Sequence, residues 1–510
     1  MADVLASGQA SRGFEAIRNP EPVAFPTRGQ LFALLLCYFA LHVVIRALLS
    51  SSVDLDESEQ VLLSQKFSWG YGSDPPVYTW LQMGFFAVFG RSVFALALLK
   101  NLLLLATYWL IYESARAATR SHLCGAAAAL SLAFIPQVVW ESQRDLTHTI
   151  LASACAVGAL LCLLRAEKGR GLGWFLGFGI CGGLGLLAKY NFAFWLVGVL
   201  VAALSLAEFR AKVLNMRMAA ALLVCAVVFA PNGLWLLRHP ELAYQTTSKL
   251  GLQGSASWSG VVLTGTRNIL QAAAAFAGPL VGVYLLLFLK EPQPRTESRP
   301  GAACAKLILR AFLFIGGVLV VLVLCFRATG FRERWFQPIL ICAPVLGITL
   351  LRNRVEAVRV KWLATLALAT MLLITLGIPA RIVFAERMKR EEPLNRPYAE
   401  LARQMRPALP ESSMIVAESV LLGGNLLLAL PGETVVTPPL AGLLGKRAEH
   451  CFLVWDATEG PHRERPPRAL TNWAQPFVTA DLAKAQRQYF SAVYKFHHER
   501  QRRLGLLKVY

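Results

Sequence analysis

Four carboxylates crowd six residues in Asp54-Leu55-Asp56-Glu57-Ser58-Glu59, directly after the first long apolar run. Charges this close repel one another and add nothing to a membrane anchor. An acidic flank for a helix starting near Ser58 would use one or two of them through the helix dipole. The rest are candidates for chemistry, because a carboxylate at a membrane boundary can accept a proton from a sugar or lipid hydroxyl. The acids could also hold a divalent cation, although no metal-ligand spacing is convincing.

A second group is Trp140-Glu141-Ser142-Gln143-Arg144-Asp145-Leu146-Thr147-His148. Ionisable residues at a membrane edge usually line a site rather than face lipid. Arg144 could bind a phosphate or a carboxylate, with Asp145 bracing it or a second hydroxyl; the plainer reading is an interfacial Arg–Asp pair. His148 alone reads as a satisfied polar residue. A third group is basic: Lys189-Tyr190, and Arg327 with Arg332-Glu333-Arg334-Trp335. Arginine recognises phosphate oxygens bidentately, so a phosphate headgroup is the natural partner. Snorkelling to phospholipid is the competing reading for any one of these, and it weakens when three loops share the feature. Lys100, inside an apolar run, is expected to snorkel to the same surface.

The elements that must position these groups are membrane spans. Hydrophobic residues make up 55% of the 510 and charged residues 16%, too little polar surface for a soluble chain of this length. Apolar runs of spanning length fall at about 30–49, 92–115, 123–140, 146–164, 172–188, 191–207, 217–236, 271–289, 307–326, 335–351 and 362–383, giving about eleven spans. The net charge of +20 fits contact with anionic lipid. Its basic residues sit in short loops between apolar runs, which argues against nucleic acid. Arg116, Arg120, Arg165, Lys168, Arg170, Arg210, Lys212, Arg217, Lys290, Arg295, Arg299, Lys306, Arg352, Arg354, Arg359 and Lys361 fall in alternate loops, which the positive-inside rule puts in the cytoplasm. The acid-rich loop, Lys189 and Arg332–Arg334 then face the periplasm.

Three regions follow: a cytoplasmic segment at 1–29, a transmembrane body at 30–383 and a periplasmic α/β domain at 384–510. In the first periplasmic loop, 58–67 and 76–90 are expected as short interfacial helices, with Trp69, Tyr71, Tyr78 and Trp80 at headgroup depth. The tail alternates helical stretches (Pro397–Met405, Val420–Leu430) with β-type runs (Met414–Ala417, Thr434–Thr437, Phe452–Trp455). Its Arg500, Arg502 and Arg503 suit either lipid headgroups or a solvated face. The ten cysteines show no CxxC, and those inside apolar runs read as small buried hydrophobes. No cleavable signal peptide is evident in residues 1–29.

DESEQVLLSQKF followed by GSDPPVYTWLQ, then RDLTH, AKYNF, APNGLWLLRHP and FRERWFQP, occur in this order over about residues 30–380. In this the chain resembles GT-C membrane glycosyltransferases of the protein O-mannosyltransferase and lipid A aminoarabinose transferase kind, and within them the rhizobial galacturonosyltransferases of lipid A and core. The resemblance implies a GT-C fold and inverting transfer from a polyprenyl-phosphate sugar, galacturonic acid or another hexose or pentose, to an envelope glycolipid at the inner membrane. It gives Asp56 the place of the loop-one catalytic aspartate, with Glu57 beside it. Many members have Lys before the paired prolines, where it meets the carrier phosphate. Here that residue is Asp74, so the contact must come from elsewhere, with Lys189, Arg332 or Arg334 as candidates; together with Arg144, Asp145 and Tyr190 they make up the candidate substrate and donor-phosphate site. A flippase of lipid-linked sugars is the rival reading, although no internal repeat of the kind common in transporters is visible. A catalytically dead scaffold is a third. No P-loop, dinucleotide fingerprint or nucleophile elbow suggests a nucleotide-sugar donor.

Overall fold

The computed structural model describes residues 26–72, 74–166, 171–241, 250–252, 257–288, 301–438, 440, 449–459, 464–477 and 486–510. Most of the N-terminal segment, and Lys168, Arg170, Lys290, Arg295 and Arg299 among the orienting basic residues, lie outside them.

Helix α1 (Arg28–Leu49) starts on a capping box in which Thr27 and Gln30 satisfy each other's backbone N–H groups. It leads into two short helices, α2 (Leu55–Leu63) and α3 (Val77–Phe89), within a few residues of the two interfacial helices expected. Then come α4 (Val93–Thr119), α5 (His122–Ser131), α6 (Thr147–Arg165), α7 (Leu172–Ala188), α8 (Phe192–Ser205), α9 (Met216–Arg238), α10 (Trp258–Phe288) and α11 (Ala302–Phe326). After these follow α12 (Glu333–Leu340), α13 (Ala343–Leu350) and α14 (Ala357–Val383).

All eleven apolar runs are helical, but they are not eleven uniform spans. Among the described residues, seven single helices (α1, α4, α6, α9, α10, α11, α14) are long and apolar enough to cross a membrane, nine if two bent pairs count as one each. The run at 123–140 bends by 76° before Gln137–Arg144, with Pro136 at the break and a π-helical stretch, Gln137–Glu141, after it. The run at 191–207 bends by 117° into Ala207–Val213, 172–188 is a single 17-residue helix, and 335–351 breaks between α12 and α13. The chain is a multi-pass membrane protein.

Helix α6 is the hub, and nearly all of it is buried. Its Ala152, Ser153, Ala156, Gly158 and Ala159 let neighbouring backbones come close, the usual substitute for hydrophobic drive inside a membrane. Helix α7 does the same against α9, since a Cβ on Gly179 would lie 2.1 Å from the Ala221 carbonyl oxygen. Leucines such as Leu48, Leu223, Leu263 and Leu373 cover the exposed flanks of the long helices, as a lipid-facing surface requires.

The tail contains α15 (Tyr398–Met405) and α16 (Val420–Ala429), with a five-stranded sheet of order β2-β1-β3-β5-β4. Strands β1 (Met414–Ala417), β2 (Thr434–Val436) and β3 (Cys451–Asp456) run parallel, while β5 (His497–Lys508) pairs antiparallel with both β3 and β4 (Arg487–Tyr494). The hairpin β4–β5 changes the reading of the tail's arginines. Arg502 is buried, ion-paired to Asp456 and Glu391 and bonded to the Tyr494 hydroxyl at 2.9 Å, and Arg503 stacks on Tyr489. Neither headgroup contact nor a solvated face describes Arg502.

The tail also supplies one wall of the acid-rich helix. Val61 and Leu62 of α2 share a core with Tyr398, Leu401, Leu422, Leu426 and Ile415. Asn425 brackets the backbone of Val53, accepting from its N–H at 2.9 Å and donating to its carbonyl at 3.0 Å, and Gln65 does the same to Val435 at 3.1 and 2.7 Å. Gly424 lies against Ser58 so closely that a Cβ would fall 2.4 Å from the Ser58 Cα.

Candidate active site

The acids of Asp54–Glu59 divide their work. Asp54 is the N-cap of α2, with Glu57 completing a capping box at the third position. Glu57 then turns inward, where Arg46 meets one carboxylate oxygen at 2.7 Å and Lys100 the other at 3.1 Å, all three side chains being nearly out of contact with solvent. Burial alone would raise the Glu57 carboxyl, but these two cations hold it down at about 2. Lys100 therefore does not snorkel outward. It points into the protein because Glu57 is the charge that makes its burial tolerable, and its Nζ also meets the Arg144 carbonyl at 3.3 Å. Arg46 further donates to the carbonyls of Ser50 and Ser52, tying down the chain that enters α2.

Asp56 takes the other direction, into a cavity of about 520 Å³. Its Oδ2 accepts from the Leu146 N–H at 2.9 Å, and its own N–H donates to Asp145 Oδ1 at 3.2 Å. Leu146 sits at φ 70°, a conformation that L-residues other than glycine and asparagine rarely adopt. The strained turn of 144–146 thus aims the Leu146 N–H at the Asp56 carboxylate, keeps Asp145 against the Asp56 backbone and sends Arg144 elsewhere. Burial, followed by the nearby Asp56 charge, raises the Asp145 carboxyl to about 8. The side chain of Arg144 lines a separate, much smaller cleft with His42, Asp54 and Arg381, and reaches Glu141 at 3.5 Å.

The opposite wall of the Asp56 cavity is basic and aromatic. Lys189, capping the C-terminus of α7, donates to Thr149 Oγ1 at 2.6 Å and to the Arg334 carbonyl at 3.3 Å. Tyr190 donates to Asn232 at 3.2 Å, and burial raises its phenol to about 12, so it is a neutral donor at physiological pH. Asn191 donates to the Trp335 carbonyl at 2.9 Å, joining this corner to the first turn of α12. Arg334 lines the cavity from that turn and forms no ion pair among the described residues. Below, Gln60 links Thr79 (2.8 Å) to His148 Nε2 (3.0 Å), stitching α2, α3 and α6 together beneath the cavity.

Of the residues singled out from sequence, Asp56, Lys189, Tyr190 and Arg334 line one cavity. Glu57, Arg144, Asp145 and Arg332 do not: Glu57 is clamped, Arg144 and Asp145 flank the support, and Arg332 is exposed at the N-cap of α12. The cavity adds Glu59, Asp74, His148, Asn191 and Trp335, all of them inside the short motifs that carried the family resemblance, and Thr149, the residue directly after one of them. Tyr78, expected at headgroup depth, is fully buried, while Trp69 is half exposed. Of the cysteines in apolar runs, Cys37 and Cys325 are exposed and the others are buried or partly so; all ten are free. Among the described residues no three His, Cys, Asp or Glu side chains converge as a metal site.

The fold is that of the GT-C glycosyltransferases. The structure of ArnT from Cupriavidus metallidurans bound to undecaprenyl phosphate superposes with a TM-score of 0.60 at 14% identity, covering 95% of this chain and 99% of that one. Residues 73–235 match the family described as dolichyl-phosphate-mannose-protein mannosyltransferase. Two relatives from Rhizobium johnstonii are more similar in sequence. Lipopolysaccharide core galacturonosyltransferase RgtB is 35% identical over 457 residues, 87% of this chain and 90% of that protein. RgtA, of the same description, is 32% identical over 414 residues, 79% and 81% respectively. The chain belongs to this family of lipopolysaccharide core galacturonosyltransferases, and it is a membrane glycosyltransferase.

Proposed function

We propose that the protein transfers galacturonic acid from a polyprenyl-phosphate donor to a lipid A or core glycolipid at the periplasmic face of the inner membrane. The observation that carries this reading is the meeting of Asp56 with Lys189, Tyr190 and Arg334 around one cavity of about 520 Å³, a size suited to a sugar and its phosphate. The names of the two Rhizobium relatives support the choice of sugar and acceptor.

In this mechanism the donor phosphate lies against Lys189 and Arg334, with the prenyl chain leaving toward lipid. Asp56 accepts the proton of an acceptor hydroxyl as its oxygen attacks the anomeric carbon. The new C–O bond forms on the face opposite the phosphate, so the configuration inverts. The breaking bond leaves its electron pair on the phosphate, where the two cations and the Tyr190 hydroxyl stabilise the added charge. The Leu146 N–H fixes the Asp56 carboxylate, and Glu57 holds the helix that carries it rather than taking a proton itself. Asp74 replaces the family's lysine on the same wall, which leaves Lys189 and Arg334 as the phosphate contacts.

The test is reconstitution of the purified protein in liposomes with a labelled polyprenyl-phosphate sugar and an extracted glycolipid acceptor. Label in the acceptor supports transfer; movement of label across the bilayer without product would instead identify a flippase. Mass spectrometry of lipid A and core from cells with and without the gene should show a loss equal to one anhydro-galacturonic acid. A loss equal to another residue would overturn the sugar assignment alone.

A further inference from the structure

A second large cavity, of about 1010 Å³, opens where α1 and α7 begin and α4 and α6 end. It lies at the other end of α6 from the first: His148 faces the Asp56 cavity, and Arg165, the last residue of the same 19-residue helix, faces this one. At 1.5 Å per residue the helix separates them by about 28 Å, the thickness of a hydrocarbon core. Arg28 (2.8 Å), Arg116 (2.9 Å) and Arg165 all converge on one buried carboxylate, Glu113. Arg120 lines the same cavity, is exposed and forms no ion pair among the described residues. Among the described residues, four guanidinium groups face one carboxylate, a local excess of three positive charges. Glu113 orders three of these cations but balances only one, so the described part of the cluster suits a further anion.

The surroundings say which anion. Arg165 packs on Trp174 at 5.1 Å and Arg28 on Trp109 at 5.2 Å, the amphipathic aromatics expected at a membrane surface. Leu172 and Trp174 are exposed beside the opening, on a surface suited to lipid. We propose that this cavity binds the phosphate headgroup of an anionic membrane lipid. Fork-shaped guanidiniums suit phosphate oxygens, and basic pockets between spans are where anionic headgroups bind. The site is independent of the transfer reading, since it shares no residue with the Asp56 cavity.

Native mass spectrometry of the full-length protein, titrated with phosphatidylglycerol or with phosphatidylcholine, tests it. Other basic surfaces will also take up phosphatidylglycerol, so the readout is the difference between wild type and variants. Arg120→Gln has no ion pair to lose and should weaken retention about fivefold, the effect of one cation near a phosphate surface. Arg116→Gln with Arg120→Gln should weaken it further, with the heat-unfolding midpoint reported alongside. Unchanged retention in folded Arg120→Gln, or equal retention of phosphatidylcholine by wild type, would overturn the site. Displacement of phosphatidylglycerol by an equal concentration of inorganic phosphate would show a soluble-anion site and overturn the lipid assignment.

Discussion

Replacing Glu57 by Gln removes the negative member of a buried group of three charges and keeps its shape. The side chains of Glu57 and Lys100 are each 2% exposed and that of Arg46 is 12%, so both cations would lose their counter-charge and keep only backbone carbonyls as partners. Breaking a buried pair from one side costs about 3–5 kcal/mol. A second route gives a similar size: a carboxyl held at about 2 against an ordinary 4.5 prefers its charged form by roughly 3 kcal/mol. That stabilisation is present above pH ~4.5 and is lost as the pH falls toward 2. Glu57→Gln should therefore lower the resistance of the purified protein to heat and denaturant by about 3 kcal/mol. Adding Lys100→Met should recover part of the loss, because only Arg46, which keeps its two backbone carbonyls, then faces the neutral amide. In protein that stays folded, the transfer rate at saturating donor should fall by less than about tenfold, with the shape of its pH profile kept. Full stability combined with a loss of rate as deep as that of Asp56→Asn would refute this reasoning and make Glu57 a participant in the proton transfer.

Three further outcomes follow from the geometry. Asp145, at about 8 when folded and near 4 when unfolded, binds more protons in the native state between those values. Stability should therefore fall as the pH rises from about 4 to 8, and Asp145→Asn should flatten that slope in pH-dependent unfolding. Lys189→Met and Arg334→Met should each lower kcat/KM for the donor by about 10²-fold, the usual loss when one preorganised stabiliser of a developing anion is removed. Unchanged kinetics in both would exclude this wall as the phosphate site. Gly424→Val cannot keep α16 on α2, given the 2.4 Å approach to Ser58. It should expose the 384–397 connection to proteases and reduce transfer, and wild-type activity and proteolysis would show that the tail does not hold the acid-rich helix.

Much of the architecture was legible because local rules governed it. Long apolar runs, two interfacial helices and the tail's first three strands lie within a few residues of expectation. Asp56 stood out because four neighbouring acids exceed what one helix start can use. Its neighbours were harder. Arg144 and Asp145 look like a local pair in sequence, and only the left-handed turn at Leu146 shows that the Leu146 N–H and the Asp145 carboxyl meet Asp56 while Arg144 turns away. Lys100 reads as a snorkelling lysine until Glu57 is found buried beside it, a contact 43 positions away in sequence. Strand β5 was hidden because its first half, His497–Arg503, is polar, and pairing with β4 and an ion pair to Asp456 are what make it a strand. In each case the decisive partner lies far along the chain, where periodicity and composition carry no information.

The central claim is that Asp56 takes the acceptor proton, and Asp56→Asn tests it most directly because the amide keeps an oxygen for the Leu146 N–H. Initial rates with labelled donor and acceptor, measured on folded protein of unchanged donor affinity, should fall by about 10²–10⁴-fold. A variant that transfers sugar at the wild-type rate would contradict the account.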